Sequence, residues 1–190
     1  MAEEGANSPG TMADDDGVGS EVWGNVDNAK TQDDSYASVR IGNAFGEGIQ
    51  QAHYLKATNF GFSIPEGATI DGILVEVDIH QASHEEIIET NIQIVKDGSI
   101  GDENKSTGAT LALSDTDTYT SYGAVDDLWT ESWESADINN ANFGVVLSFR
   151  SDNSGDSGTA EVDHIRITIY YTLQEISTFS KQVNLNFGGE

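Results

Sequence analysis

Apolar and polar residues alternate one by one over long stretches of this sequence. The longest stretch is "VDHIRITIYYTL", residues 162–173. Successive side chains of a β-strand point to opposite faces, so a period of two predicts a strand with one buried side. Such strands bury their apolar sides by placing one sheet against another. The apolar residues on one side of this stretch are Ile165, Ile167, Ile169, Tyr171 and Leu173.

The same alternation recurs in other segments, in which β-branched residues that favour strands are common. A shorter strand is predicted within residues 33–41, where Tyr36, Val39 and Ile41 are the apolar positions. The residues predicted to share the buried side of the remaining strands are Phe60, Phe62 and Ile64; Ile73, Val75, Val77 and Ile79; Ile88, Thr90, Ile92 and Ile94; and Phe143, Val145, Leu147 and Phe149.

Two of these strands flank the sequence "IPEG", residues 64–67. The fixed φ of proline suits the second position of a turn, so Pro65 predicts a turn that spans Ile64 to Gly67. Helical periodicity is nearly absent, and residues 135–144 are predicted to form only a short helical turn or a loop. The pattern therefore predicts an all-β chain, an antiparallel β-sandwich with jelly-roll-like connections.

The domain organisation follows from where apolar residues are found. Residues 1–20 are rich in Gly, Ser, Asp and Glu and are predicted to be a flexible acidic segment, whereas residues 21–173 form the sandwich. Residues 174–190 are predicted to be an extended tail. Its alternating apolar residues predict one more strand, which would pair either within the subunit or with the sheet edge of a partner. These residues are Val183, Leu185 and Phe187.

The charge of the chain restricts its partners. It has 33 acidic and 8 basic residues, a formal net charge of −25, so direct binding to nucleic acid or to anionic membranes is disfavoured. The sequence has no cysteine and no run that predicts membrane insertion, and its first residues do not resemble a secretory signal, which predicts synthesis in the cytoplasm without export by that route. Such acidity suits concentrated salt, so a halophilic source and an ordinary host both remain open.

Catalytic motifs are not apparent. The four histidines are His53, His80, His84 and His164. His80 and His84 are four residues apart but lie where a strand meets a turn, so they are not predicted to converge on a metal. Asp163 and His164 are neighbours in a strand and are predicted to point to opposite faces, so they would not form a catalytic pair. The sequence predicts no catalytic residue and no cofactor.

Acidic loops offer hard oxygen ligands of the kind that Ca²⁺ prefers. Aspartates on glycine-bearing loops could hold such an ion, although acidic turns are also common where no metal binds, and none of these loops has the full calcium-binding pattern. The candidate ligands are Asp115, Asp117, Asp152 and Asp156.

Aromatic residues near the sequence "DDLWTESWES" allow two interpretations. Exposed aromatic rings on a sandwich can stack on sugars, so Trp129, Trp133 and Tyr122 are candidates for binding a glycan. Large aromatic residues more often contribute to burial, and the alternative is that these rings seal one end of the core.

Four segments carry a resemblance to known proteins: "YLKATNFGFSIPEGATIDGILVEV", "YGAVDDLWTESW", "INNANFGVVLSF" and "AEVDHIRITIYYT". Over residues 22–173 the chain resembles a group of β-sandwich virion proteins of tailed viruses of bacteria and archaea, which are attached to the capsid or tail.

The resemblance implies a structural virion protein, such as a capsid decoration, turret or tail-associated component. It also implies location in the virion and partnership with copies of itself and with other virion proteins. The acidity would suit a virus of a halophilic host. The alternative function is a carbohydrate-binding adhesin that attaches to a glycan on the host surface.

Overall fold

The computed structural model describes residues 1–42, 49–82, 86–112, 118–152 and 157–174. Within them the chain forms ten strands, a 3-10 helix at Val26–Ala29 and one short α-helix, α1. The strands are β1 Ala2–Asn7, β2 Thr11–Asp15, β3 Ala37–Ile41, β4 Tyr54–Thr58, β5 Thr69–Gln81, β6 Ile87–Lys96, β7 Ser99–Asn104, β8 Tyr119–Ala124, β9 Gly144–Ser151 and β10 Gly158–Thr172, and α1 is Ser135–Ile138.

The ten strands form two antiparallel sheets. One sheet has the order β1-β10-β5-β8, with β3 also paired to β10, and the other has the order β2-β4-β9-β6-β7. Without β1 and β2, the orders β3-β10-β5-β8 and β4-β9-β6-β7 are those of a jelly roll. From β3 onward the chain changes sheet at every connection except the β6–β7 hairpin. The prediction of an antiparallel sandwich with jelly-roll connections is therefore confirmed.

Strands β10 and β9 form the centre of the two sheets. In β10 the predicted inward residues Ile165, Ile167 and Ile169 are fully buried, whereas Leu173, one residue beyond the end of the strand, is exposed. In β9 the residues between the predicted inward ones are buried too, among them Val146 and Ser148. The outer face of β9 is thus covered as well as its inner face.

A bulge changes the buried face of β6. The pairing of β6 with β9 shifts register between Glu89 and Asn91. As a result Ile87 and Glu89 are buried before the bulge, and Ile92 and Ile94 after it. The prediction that Ile88 and Thr90 share the buried side is wrong, because one extra residue in a bulged strand reverses the faces on either side of it.

The segment between β4 and β5 is irregular and not a strand as predicted, although its apolar residues Phe60, Phe62 and Ile64 are buried. Its turn lies one residue later than predicted, because the N–H of Ala68 donates to the carbonyl of Pro65. Gly67 has φ 77°, a value that glycine adopts without a steric penalty.

The N-terminal residues belong to the sandwich, which corrects the prediction of a flexible segment over residues 1–20. Strand β1 pairs with β10 and strand β2 pairs with β4. Met12 is only 7% exposed. The acidic and small residues at these positions face outward or lie on edge strands, where backbone pairing needs no apolar side chain.

Candidate functional site

A cleft lies on the side of the sandwich where the two sheets end at β7 and β8. Residues 105–112 run along β6, held by backbone hydrogen bonds between Lys105 and Ile92 (2.9 Å) and between Leu111 and Ile87 (2.8 Å). At Ala112 the segment reaches the other sheet, where its carbonyl accepts a hydrogen bond from the Gln81 N–H of β5 (3.0 Å). A cavity of about 480 Å³ lies between this segment and β8, and we call it the edge cleft.

The floor of the edge cleft contains a buried carboxylate. Glu89 is 4% exposed; one carboxylate oxygen accepts a hydrogen bond from the Tyr122 hydroxyl (2.8 Å) and the other from the Thr107 N–H (3.0 Å). Burial of the phenol, reinforced by this carboxylate, raises the pKa of Tyr122. Because Tyr122 belongs to β8, Glu89 links the two sheets at their open side.

An ammonium group lies in the wall of the same cleft. Lys105 Nζ is 2.8 Å from a Glu103 oxygen and 2.7 Å from an Asp127 oxygen. It also lies 4.9 Å from the centre of the Trp129 ring. Burial disfavours the charged form, but the two carboxylates outweigh it and raise the pKa of Lys105. The lysine therefore stays charged.

The mouth of the cleft presents hydroxyl groups and an apolar wall. Within the described part of the chain, the side-chain hydroxyls of Thr110, Thr120 and Ser121 accept or donate no hydrogen bond to another residue, and all three residues are exposed. Leu111 and Ile79 lie among them. A cavity with an apolar wall, a few placed polar groups and a volume in the range of roughly 300–1,000 Å³ has the character of a ligand site.

The predicted glycan-stacking residues do not form one platform. Trp129 is fully buried and Tyr122 is 5% exposed, so stacking on a sugar is ruled out for both. Trp129 Nε1 donates to the Ile73 carbonyl at 3.0 Å, which confirms the core-sealing interpretation for this ring. Half-buried Trp133 packs on Phe143 and lines a separate cavity with Glu66. Stacking at Trp133 stays a prediction.

A second polar cluster surrounds His164, which is 8% exposed. Its Nε2 lies 2.8 Å from the Ser8 hydroxyl and its Nδ1 lies 2.7 Å from the Tyr119 hydroxyl. Tyr119 donates to Gln32 Oε1 at 2.8 Å, and Gln32 Nε2 donates to Asp78 at 3.1 Å. The cluster ties the connection between β1 and β2 to strand β10.

The direction of these hydrogen bonds fixes the tautomer of His164. The Asp78 carboxylate only accepts, so it orients the Gln32 amide with its oxygen towards Tyr119. Tyr119 donates its single proton to that oxygen, and it must therefore accept one from His164 Nδ1. Nε2 then accepts from Ser8. Because Nδ1–H is donated to a phenol and not to a carboxylate, the arrangement differs from a Ser-His-Asp triad.

The stability of the fold is expected to depend on His164. Burial, with Arg166 nearby, lowers the pKa of His164, although Asp78 opposes this shift. The unfolded chain thus binds the proton at a higher pH than the folded chain. We expect the wild type to be more stable than the His164→Gln protein. The difference in stability should be largest above about pH 6.5 and should shrink as the pH falls below that value. Melting temperatures of both proteins between pH 5 and 8 would measure this, and a gap that does not change with pH would contradict it.

The other predicted polar sites are dispersed. His80 pairs with Glu161 (3.1 Å), and His53 pairs with Asp14 (2.8 Å). Asp163 accepts a hydrogen bond from the N–H of Asp33, whereas both ring nitrogens of His164 are engaged elsewhere. In the part of the chain that the structure describes, no three His, Asp or Glu residues are grouped to hold a metal.

Several predicted residues lie outside the described ranges and remain predictions. Of the proposed calcium ligands, only Asp152 is described, and it lies just after the end of β9. The residues outside the described ranges are Asp115, Asp117, Asp156, His84, Val183, Leu185 and Phe187.

Comparisons with known proteins give no family for this chain. No family model matches it, and no curated protein matches it either. Among the described residues, no helix is both long and apolar enough to cross a membrane.

Proposed function

We propose that this protein is a structural component of a virus particle, attached to the capsid or tail through the end of the sandwich where β1 begins and β10 ends. The resemblance of four sequence segments to virion proteins supports this function. The supporting geometry is the pairing of Ala2 with Tyr171 and of Thr172 with Thr69. The start of β1 and the end of β10 therefore lie side by side, and we call this part of the molecule the terminal end.

The chain leaves the described domain at the terminal end. Gln174 lines a cavity there together with Trp133 and Glu66. Residues 175–190 follow, and we propose that they add a strand to the sheet edge of a neighbouring subunit through Val183, Leu185 and Phe187. Backbone pairing at an open edge would provide affinity, and alternate side chains would provide specificity.

The rest of the sandwich points away from this attachment. Ala160 pairs with Gln81 at the opposite end of β10 and β5, and the edge cleft lies towards that end. With a net charge of −25, assembled copies would repel one another in dilute buffer, and cations would reduce that repulsion. Assembly is therefore proposed to strengthen as salt is added.

The tail is tested by comparing substitutions at neighbouring positions. We expect the wild type to form oligomers whose fraction rises with concentration and salt, and we expect both the Leu185→Asp protein and a protein lacking residues 175–190 to stay monomeric. The Asn184→Asp protein is the matched control, because it adds the same charge on the other side of the proposed strand. Sedimentation velocity would measure the oligomers, and melting temperatures would verify folding.

Two results would contradict the proposal. One is that oligomers persist equally in all these proteins or are missing from the wild type at every salt concentration. The other is that mass spectrometry of purified virus particles from the source culture fails to detect the protein among their components.

A further inference from the structure

We infer that the edge cleft binds an uncharged sugar ring, as found in a glycan on a cell surface. This inference does not rest on the proposed attachment, since the cleft lies away from the terminal end. It also differs from the sequence-based glycan hypothesis, because it involves neither Trp129 nor Trp133 and does not use stacking of a sugar on Tyr122. The argument depends on the charge, the hydrogen-bonding groups and the apolar wall of the cleft.

Among the described residues, the charged groups of the cleft leave no positive charge unpaired. Lys105 is shared by the carboxylates of Glu103 and Asp127, whereas Glu89 accepts hydrogen bonds from neutral partners, the Tyr122 hydroxyl and the Thr107 N–H. An anionic ligand would therefore find no free counter-charge, and the net charge of −25 would also repel it. The site therefore disfavours an anionic sugar, and its hydroxyls and apolar wall favour an uncharged one.

The same groups retain capacity for further hydrogen bonds. Each carboxylate oxygen of Glu89 accepts one hydrogen bond in the described structure and has a second lone pair. Lys105 Nζ has three N–H groups, and two of them point to its carboxylate partners. The exposed hydroxyls of Thr110, Thr120 and Ser121 can both donate and accept. A ligand with several hydroxyls on a small frame matches this mixed set.

The apolar wall of the cleft matches the C–H faces of a sugar ring. Leu111 is buried at 9% exposure, and Ile79 and Ala109 line the cleft beside it. A sugar ring has C–H groups on its faces and hydroxyls around its edge, so it can cover apolar side chains while its edge reaches the polar groups. A purely apolar ligand would cover the hydroxyls of Thr110, Thr120 and Ser121 without offering them hydrogen bonds.

The test uses amide NMR of the full chain, titrated with methyl glycosides of glucose, galactose, mannose and N-acetylglucosamine, alongside an array of neutral, uronic-acid and sialylated glycans. We expect at least one neutral sugar to shift the amide signals of residues 105–112 and 118–123. We expect the Ala109→Trp protein, whose new ring fills the mouth, to lose this binding. The Thr120→Val protein should bind about tenfold more weakly, as expected for the loss of one hydrogen bond.

The matched control is Thr69→Val, an exposed threonine outside the edge cleft, which should bind like the wild type. Melting temperatures would show whether each variant folds. The inference is overturned if no neutral sugar shifts the cleft signals at ~10 mM, if only acidic glycans bind, or if Ala109→Trp binds as the wild type does. Deleting residues 175–190 should leave sugar binding unchanged. Failure of the attachment proposal can therefore be distinguished from failure of the sugar-binding inference.

Discussion

The Trp129→Ala protein is expected to lose about 4 kcal/mol of unfolding free energy, since removing a buried tryptophan leaves a cavity that its neighbours fill only in part. Trp129 is completely buried. The substitution also removes the hydrogen bond from Nε1 to the Ile73 carbonyl. Lys105 would lose the ring that lies 4.9 Å from its ammonium group. A chain of this size should melt about 10 °C lower.

Backbone conformation adds to the importance of this side chain. Trp129 and Thr130 both have φ 54°, a left-handed value that costs non-glycine residues about 1 kcal/mol or more. Burial of the Trp129 ring holds the loop in this conformation, together with the hydrogen bond that the backbone N–H of Trp129 donates to the Asp127 side chain (2.9 Å). The loss of the ring should therefore also loosen the loop that carries Asp127.

Thermal unfolding of two further variants would separate these contributions. Trp129→Phe keeps most of the ring and loses the indole hydrogen bond, so we expect about half of the alanine effect. Trp133→Ala removes the same residue type from the same loop, but Trp133 is only half-buried, and its loss should be clearly smaller. Equal losses at positions 129 and 133 would show that burial does not determine the effect.

The alternation of apolar residues predicted the sandwich because it reports directly which side of a strand is buried. It was reliable for Ile165, Ile167 and Ile169, where β10 pairs regularly with β5. It failed at Ile88 and Thr90, since a bulge depends on how two distant strands pair and leaves little trace in either one. For Phe60 and Phe62 it predicted burial correctly but the strand wrongly, because these residues are buried by an irregular segment.

The edge cleft could not be predicted from the sequence for the same reason. In a regular strand Glu89 would point outward, and only the bulge turns it towards Tyr122. Within the segment itself, the only signal is that Ile87 and Ile92 cannot share a face of a regular strand. The partners of Lys105 come from β7 and from the loop after β8, so no local pattern brings them together. The sequence shows Tyr122 and Trp129 as large aromatic residues, but their burial depends on the packing of both sheets.

Deletion of residues 1–16 is expected to lower the melting temperature by about 10 °C. The deletion removes β1 and β2, which exposes the backbone groups of β10 and β4 to which they pair. Met12 is 7% exposed, and burial of such a side chain contributes about 2 kcal/mol. Asp14 accepts hydrogen bonds from the N–H of Trp23 (2.9 Å) and from His53 (2.8 Å).

An ion pair strengthens the same region. Lys56 lies 3.0 Å from the Asp15 carboxylate, and this hydrogen bond, together with one from the Gly17 N–H, lowers the pKa of Asp15 against the effect of burial. The carboxylates of Asp14 and Asp15 are 25% and 29% exposed, so we expect their hydrogen bonds with Trp23, His53 and Lys56 to contribute only about 2 kcal/mol together. With about 2 kcal/mol from Met12, the total of about 4 kcal/mol corresponds to the stated fall in melting temperature.

Two controls make the deletion decisive. Val22→Ala changes an apolar residue that is 65% exposed, just beyond the deleted residues, and should leave the melting temperature unchanged. Met12→Ala should reproduce about half of the loss from the deletion, because it removes the buried side chain and keeps both strands. If the deleted protein melts like the wild type, residues 1–16 add no stability, and the contributions assigned to Met12, Asp14 and Asp15 would be wrong.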